Sequence, residues 1–271
     1  MDDIQRFLHE DLDDEGDITS ESLFTDEEVK AVIISKEKCV VAGIDAVKNI
    51  LKKFDIIYSE KVNDGMVIDK GRVIFEISGL AKSILKVERL ILNIISRMSG
   101  IATETKKLVD ICSKINPKIK IASTRKTTPG FRKYEKQAVV IGGGELHRLG
   151  LYDAVMIKDN HLKIAGSVEK SIKKVKQEIK DKTIEIEVEN EEDALIATKN
   201  SVDIIMLDNL KPETAEEITK KIKKINPNIL VEISGGINEN NIKDYASFAD
   251  RISLGYITNS VRSMDFSLEI I

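Results

Sequence analysis

The chain has 271 residues, 42% hydrophobic and 32% charged, with 42 Lys plus Arg against 46 Asp plus Glu and a net charge of -4. A chain of that length buries roughly three quarters of its unfolded surface, so its core needs no covalent or metal staple, and the acidic balance argues against a nucleic-acid partner. Cys39 and Cys112 are too few for a disulfide framework, residues Met1 to Gln5 lack the basic and apolar regions of a signal peptide, and no run of roughly 18 apolar residues offers a membrane span; a cytoplasmic protein with reduced thiols and no membrane partner is expected.

Two textures meet near Gly100. Before it, short alternating segments at Val29 to Ile34 and Arg72 to Ile77 read as strands, separated by turn signals at Asn63-Asp64-Gly65 and Asp69-Lys70-Gly71. Ile84, Leu85, Val87, Ile91, Leu92 and Ile95 then fall at helical spacing and predict a helix from about Ala81 to Met98. This first region is of α+β type.

After Gly100 strands alternate with helices. Strands are predicted at Ile119 to Ser123, Ala154 to Ile157, Ile184 to Val188, Asp203 to Leu207, Ile229 to Ile233 and Arg251 to Leu254, with helices such as Ser167 to Lys180 and Pro212 to Ile225 between them. Such alternation implies parallel pairing through right-handed crossovers. Six units point to an α/β barrel, open and incomplete, beside a smaller N-terminal α/β sandwich domain. Residues 1–100 are expected as the sandwich, 101–258 as the barrel, and 259–271, which alternates with period two from Asp265, as a segment returning to the first domain.

The residues just beyond each strand carry the chemistry. Thr124-Arg125-Lys126, Lys158-Asp159-Asn160-His161, Asp208-Asn209, Ser234-Gly235-Gly236 and Gly255 all stand at predicted strand ends. Parallel barrels build their active sites at those carboxyl ends. Glu185, Glu187 and Glu189 share one face of their strand, opposite Ile184, Ile186 and Val188, and either form a salt-bridge ladder with lysines or bind ribose hydroxyls and a hydrated Mg²⁺.

Cations concentrate between Arg125 and His161. Arg125, Arg148 and Lys158 sit beside strand ends or glycines, where a guanidinium fork suits carboxylates and phosphates; Lys133 and Lys136 are expected on a solvated helix face over Arg132 to Val140. Gly142-Gly143-Gly144 either lets the backbone approach a ligand or simply ends a helix. Ser234-Gly235-Gly236 before a short helix from about Asn238 has the look of a phosphate cradle. These features indicate a phosphosugar enzyme without naming its reaction.

The run Thr124-Arg125-Lys126-Thr127-Thr128-Pro129-Gly130-Phe131-Arg132, with Glu135-Lys136, Gly142-Gly143-Gly144, His147-Arg148 and Ile157-Lys158-Asp159-Asn160-His161, resembles the quinolinate phosphoribosyltransferases. The likeness extends over Glu10-Asp11, Gly16 to Ser20, Glu88-Arg89, Ser99 to Thr103, Glu185 to Asn190, Leu207-Asp208-Asn209 and Glu232 to Ile237. The resemblance implies transfer of phosphoribose from phosphoribosyl pyrophosphate to quinolinate with decarboxylation, in a homodimer or larger assembly in which Arg89 enters the neighbouring subunit's site. On the same ground Thr124, Arg125, Lys126, His147 and Arg148 hold the quinolinate end, and Lys158 faces the phosphoribosyl pyrophosphate. Glu187 and Asp208 bind ribose or a water-bridged Mg²⁺; Lys126, Lys158, Glu187 and Asp208 form the catalytic set. Ser234, Gly235, Gly236 and Gly255 take the 5′-phosphate. Asn259 replaces the histidine usual in the family, which leaves a hydrogen-bond donor without a charge.

Two other readings stay open at this level. A sister enzyme acting on a monocarboxylate such as nicotinate would need fewer cations than Arg125, Lys126 and Arg148 provide. A non-catalytic phosphosugar-binding protein would need the cradle but not the full set of cations and acids. Ser234 lacks the strand-turn-helix context of a serine nucleophile.

Overall fold

The computed structural model describes residues Asp2–Ile271. The chain divides into two compact units, the first made of residues up to Glu104 with Lys133–Gly142 and Val261–Ile271, the second of Thr105–Arg132 and Gly143–Ser260. The first unit thus takes a ten-residue piece from the middle of the chain as well as the C-terminal segment.

In the first unit a four-stranded antiparallel sheet runs in the order Phe266–Ile270, Glu28–Ser35, Val73–Leu80, Ile57–Glu60. Ala31, Ile33 and Ser35 alternate inward along the central strand, as period-two patterning requires. Ala31 pairs with Ile270 on one side and Ile77 on the other, which fixes the C-terminal strand in register. Helix Ile44–Lys53 buries Ile44, Val47, Ile50 and Leu51 on one face. Asp64 Oδ1 accepts the amides of Gly43 at 2.7 Å and Ile44 at 2.9 Å, satisfying donors that the first turn of that helix leaves free.

The predicted helix from Ala81 continues past Met98 to Ser113. Ile101, Ala102, Leu108 and Cys112 extend its buried stripe. Gly100 breaks the apolar pattern without breaking the helix. A Cβ there would lie 2.2 Å from the Arg262 carbonyl oxygen, so the glycine admits the returning C-terminal segment. Arg97 beside it donates from Nε and Nη2 to Glu135 Oε1 at 3.1 and 2.9 Å, and from Nη1 to the Val261 carbonyl at 2.9 Å.

Helix Arg132–Ile141 corrects one expectation. Lys133 is exposed as expected, but Lys136 is fully buried together with Glu135. This helix buries Tyr134, Glu135, Lys136, Ala138 and Val139, and the buried Glu135 is paired with Arg97.

The second unit carries six parallel strands in the order Lys120–Ser123, Arg251–Leu254, Leu230–Ser234, Ile204–Asp208, Ile184–Val188, Val155–Ile157. The two outermost strands do not pair with one another, so the sheet stays open. Helices Val168–Glu178, Glu191–Lys199 and Pro212–Ile225 link successive strands. Their starts are set by local chemistry: Ser167 and Asn190 accept the third amide of their helices, and Pro212 opens the third. Parallel order brings all six carboxyl ends to one side of the sheet. Among the described residues no helix is long and apolar enough to cross a membrane, and Cys39 and Cys112 are both free and buried.

Candidate active site

A cavity of about 390 Å³ opens over the carboxyl ends of the parallel strands. Nine of the residues singled out from the sequence line it: Thr124, Arg125, Lys126, His147, Arg148, Lys158, Glu187, Asp208 and Ser234. Met156, Met206 and Ser253 line it too and were missed. Each stands two residues before a position singled out at its own strand end, Lys158, Asp208 and Gly255, so the alternation of strand faces was the signal available.

Two of the cations, Arg125 and Arg148, stand close enough to repel one another. Arg148 is only 9% exposed and donates from Nη1 to the Ala154 carbonyl at 3.3 Å. Burial first, and then the charge of Arg125, weaken the hold of the Arg148 guanidinium on its proton. Two guanidiniums in mutual repulsion are a poor resting arrangement and a good anion receptor. Among the described residues Arg125 Nε is buried with no hydrogen-bond partner, a donor left for a ligand.

The acids stand on neighbouring strands. Glu187 forms an ion pair with Lys158. Asp208 accepts a hydrogen bond from the Ser234 hydroxyl and another, at 2.6 Å, from Asn209 Nδ2. Glu189 is exposed beyond the strand end and takes no part. Glu185 faces inward below the cavity, only 2% exposed.

Gly235 has φ +86°, and a Cβ on it would lie 2.3 Å from Asn209 Oδ1 and 2.6 Å from the Asn209 amide nitrogen. The turn therefore tolerates only glycine, because the Asn209 amide donates to the Ser234 carbonyl at 3.0 Å and draws the two loops together. The helix expected from about Asn238 begins instead at Ile242 and has five residues. Asn238 and Asn241 divert the intervening amides: Asn241 Oδ1 accepts from Asn238 N at 2.8 Å and Asn238 Oδ1 from Asn240 N at 2.9 Å. Any phosphate held at Gly235-Gly236 thus meets loop amides rather than a helix end.

Gly235, Gly236, Gly255 and Asn259 do not line the cavity itself. Gly255 abuts Lys126, whose Cδ would lie 2.8 Å from an added Cβ, and Thr258 Oγ1 donates to the Lys126 carbonyl at 2.8 Å. Asn259 is exposed and accepts from the Ser260 hydroxyl at 2.6 Å. His161 Nδ1 accepts the Lys158 amide at 2.9 Å, a structural hydrogen bond at the strand end. Arg89 is exposed on its helix in the first unit.

His147 is held beneath the cations. Its Nε2 lies 3.2 Å from Glu232 Oε1 and 3.4 Å from Glu185 Oε2, while its Nδ1 accepts the Arg148 amide at 2.8 Å. Burial works against a charged ring and the two carboxylates favour one, a balance that taken alone raises the ionisation of His147 to about 9. The Arg148 amide opposes that second proton, because an imidazolium has no lone pair to accept it. The geometry as it stands holds one ring proton, on Nε2.

The site's arrangement is matched by known proteins. A family model described as the C-terminal domain of quinolinate phosphoribosyl transferase matches residues 101–269, and its N-terminal counterpart matches residues 17–99. A probable nicotinate-nucleotide pyrophosphorylase (carboxylating) of Archaeoglobus fulgidus is 43% identical over 94% of this chain and 98% of its own. One of Bacillus subtilis is 39% identical over 98% and 92% of the two chains. The crystal structure of the nicotinate-nucleotide pyrophosphorylase from Ehrlichia chaffeensis covers 99% of this chain and 97% of its own, with a TM-score of 0.93 at 37% identity. Matched along both units, with the cation-rich cavity at the carboxyl ends of its parallel strands, the chain belongs to the quinolinate phosphoribosyl transferase family and is a phosphoribosyltransferase.

Proposed function

We infer that the chain joins quinolinate to phosphoribosyl pyrophosphate with loss of CO₂, giving nicotinate mononucleotide and pyrophosphate for pyridine nucleotide biosynthesis. The observation that carries this reading is the pair of guanidiniums, Arg125 and Arg148, both lining the cavity and close enough to repel one another, with Arg125 Nε unpartnered among the described residues. One carboxylate needs a single fork; two forks with Lys126 suit a diacid.

On this reading quinolinate lies against Thr124, Arg125, Lys126, His147 and Arg148, while the phosphoribosyl group lies toward Lys158, Glu187 and Asp208. The 5′-phosphate is assigned to Ser234, Gly235, Gly236 and Gly255, with Asn259 beside them. The quinolinate ring nitrogen attacks ribose C1 as the C1–pyrophosphate bond breaks, and positive charge spreads over C1 and the ring oxygen. Glu187 and Asp208 stabilise that charge, and Lys126 and Lys158 the departing oxyanion. The pyridinium formed then accepts the electron pair left at C2 when the adjacent carboxylate leaves as CO₂, and a proton from solvent completes the product.

Glu187 and Asp208 also suit a magnesium ion. Two carboxylates are what Mg²⁺ takes from a protein when water and substrate phosphates complete its octahedron. Bound there, it would neutralise charge on the pyrophosphate. The reading further makes the protein a cytoplasmic homodimer or larger assembly in which Arg89, exposed on its helix, reaches the neighbouring subunit's site.

The test is substrate choice. Purified protein with Mg²⁺ and phosphoribosyl pyrophosphate should form nicotinate mononucleotide from quinolinate; product from nicotinate but not from quinolinate would overturn the diacid assignment.

A further inference from the structure

Beneath His147 lie two buried acids to which the proposed reaction assigns no task. Glu185 and Glu232, 2% and 0% exposed, come from strands separated by Ile204–Asp208, and they converge on His147. Glu232 is anchored from its other side: Arg251 Nη1 donates to Oε2 at 3.2 Å, and Arg251 Nε donates to Glu145 Oε2 at 3.1 Å. His147 Nε2 lies within 3.4 Å of both acids but is aligned on neither; among the described residues Nε2, Glu185 Oε1 and Glu232 Oε1 complete no hydrogen bond.

The three side chains have ligand atoms within 4.8 Å of one another, a spacing that would suit a metal ion. The ring's other nitrogen rules against that use in this conformation. His147 Nδ1 accepts the Arg148 amide at 2.8 Å, so its lone pair is engaged and the ring proton must sit on Nε2. A metal at Nε2 would need that proton removed.

The backbone at the same place is unusual. His147 has φ +53°, a left-handed conformation that is strained for a non-glycine residue. The residues before it are fastened to the strand at Lys120–Ser123, with the Ser123 hydroxyl donating to the Leu146 carbonyl at 3.0 Å and the Glu145 amide to the Ile121 carbonyl at 2.7 Å. After it the chain must turn to bring Arg148 into the cavity. The ring of His147 closes that turn through its own Nδ1.

We propose that Glu185 and Glu232 are positioning residues for the carboxylate-binding end of the site: they keep the proton on His147 Nε2, which leaves Nδ1 bare to hold the Arg148 amide and so fixes the left-handed turn that aims the Arg148 guanidinium. The inference deepens the proposed function and rests on its assignment of Arg148 to a quinolinate carboxylate. It explains why two acids lie buried under a receptor for a dianion, where their charge would otherwise oppose binding: Arg251 offsets Glu232, and the His147 proton faces both. Neither acid touches substrate on this account, and their effect passes through one imidazole.

The test uses the full-length protein, ¹⁵N-labelled at histidine. The chain has only three histidines, so His9→Gln and His161→Gln variants assign the His147 signals. Ligand-free wild type should show His147 as the Nε2–H tautomer. Glu185→Ala should scramble that tautomer and weaken quinolinate binding about tenfold or more, while phosphoribosyl pyrophosphate binding changes less than about twofold. Glu185→Gln, which keeps an acceptor oxygen and the shape, should restore both the tautomer and most of the affinity; if Glu185→Ala does not fold, the Glu185→Gln protein and the wild-type tautomer still decide. Equal weakening of both ligands, no weakening of either, or an Nδ1–H tautomer in wild-type protein that binds quinolinate would overturn the inference alone. Wild-type protein that shows the Nε2–H tautomer yet binds no quinolinate would instead overturn the functional reading and the substrate-positioning role with it.

Discussion

Replacing Arg148 with alanine separates the two ends of the cavity. In the free protein its guanidinium donates to an uncharged acceptor, the Ala154 carbonyl, at the long distance of 3.3 Å, and is opposed by Arg125. Losing that bond costs about 0.5–1.5 kcal/mol, and relief of the like-charge contact offsets part of it, so the fold should survive. With a carboxylate in place the same group makes a charge-assisted contact of about 1.5–3 kcal/mol. Quinolinate affinity should therefore fall by roughly tenfold to a hundredfold or more, since each 1.4 kcal/mol is a factor of about ten. Asp208→Ala should show the opposite preference, weakening phosphoribosyl pyrophosphate more than quinolinate. Calorimetric titration of each ligand alone is the assay, because steady-state constants mix binding with chemistry. Equal weakening of both ligands by both substitutions would refute the division of the site.

Gly235→Ala meets both a positive φ and the Asn209 side chain, so it should lower stability by about 1–3 kcal/mol and weaken phosphoribosyl pyrophosphate more than quinolinate, read by denaturant unfolding and titration. Asp64→Ala removes the acceptor for the Gly43 and Ile44 amides and should cost about 1 kcal/mol of stability. Burial raises the Asp64 carboxyl above its usual range, against the pull of those amides. A raised folded value means its contribution is fully present below the unfolded value of about 3.9 and is lost as pH rises through the folded one. Asp64→Asn, an uncharged acceptor, should accordingly match wild type in acid and equal or exceed it at pH 7 in a thermal melt. Equal mixing of Arg89→Ala with Lys158→Ala subunits should recover about a quarter of wild-type activity if sites are shared across a dimer, since half the dimers are mixed and each regains one site; no recovery despite demonstrated exchange would exclude the sharing.

Much of this was legible in the residues because each strand of the parallel sheet is a short branched-aliphatic run, and its polar end sits where the topology collects ligands. The helix from Ala81 was cut short because Gly100 and Thr103 interrupt the apolar signal, whereas the buried stripe resumes at Ile101 and Leu108. Lys136 departs from expectation for a similar reason: its charge implies exposure, although Glu135, Ala138 and Val139 beside it are buried. The role of Glu232 and Arg251 could not be read without strand register, which sets them opposite one another and beneath His147. Met156 and Met206 lay within reach, one pleat below Lys158 and Asp208.

The central claim is that this site adds phosphoribose to a diacid and removes one of its carboxylates. Quinolinate carrying ¹⁴C in the carboxylate next to the ring nitrogen, incubated with the protein, Mg²⁺ and phosphoribosyl pyrophosphate, tests both halves at once. Labelled CO₂ and pyrophosphate should appear in equal amounts, with unlabelled nicotinate mononucleotide as the third product. Pyrophosphate released without labelled CO₂, or no turnover of quinolinate by well-folded protein, would contradict the account.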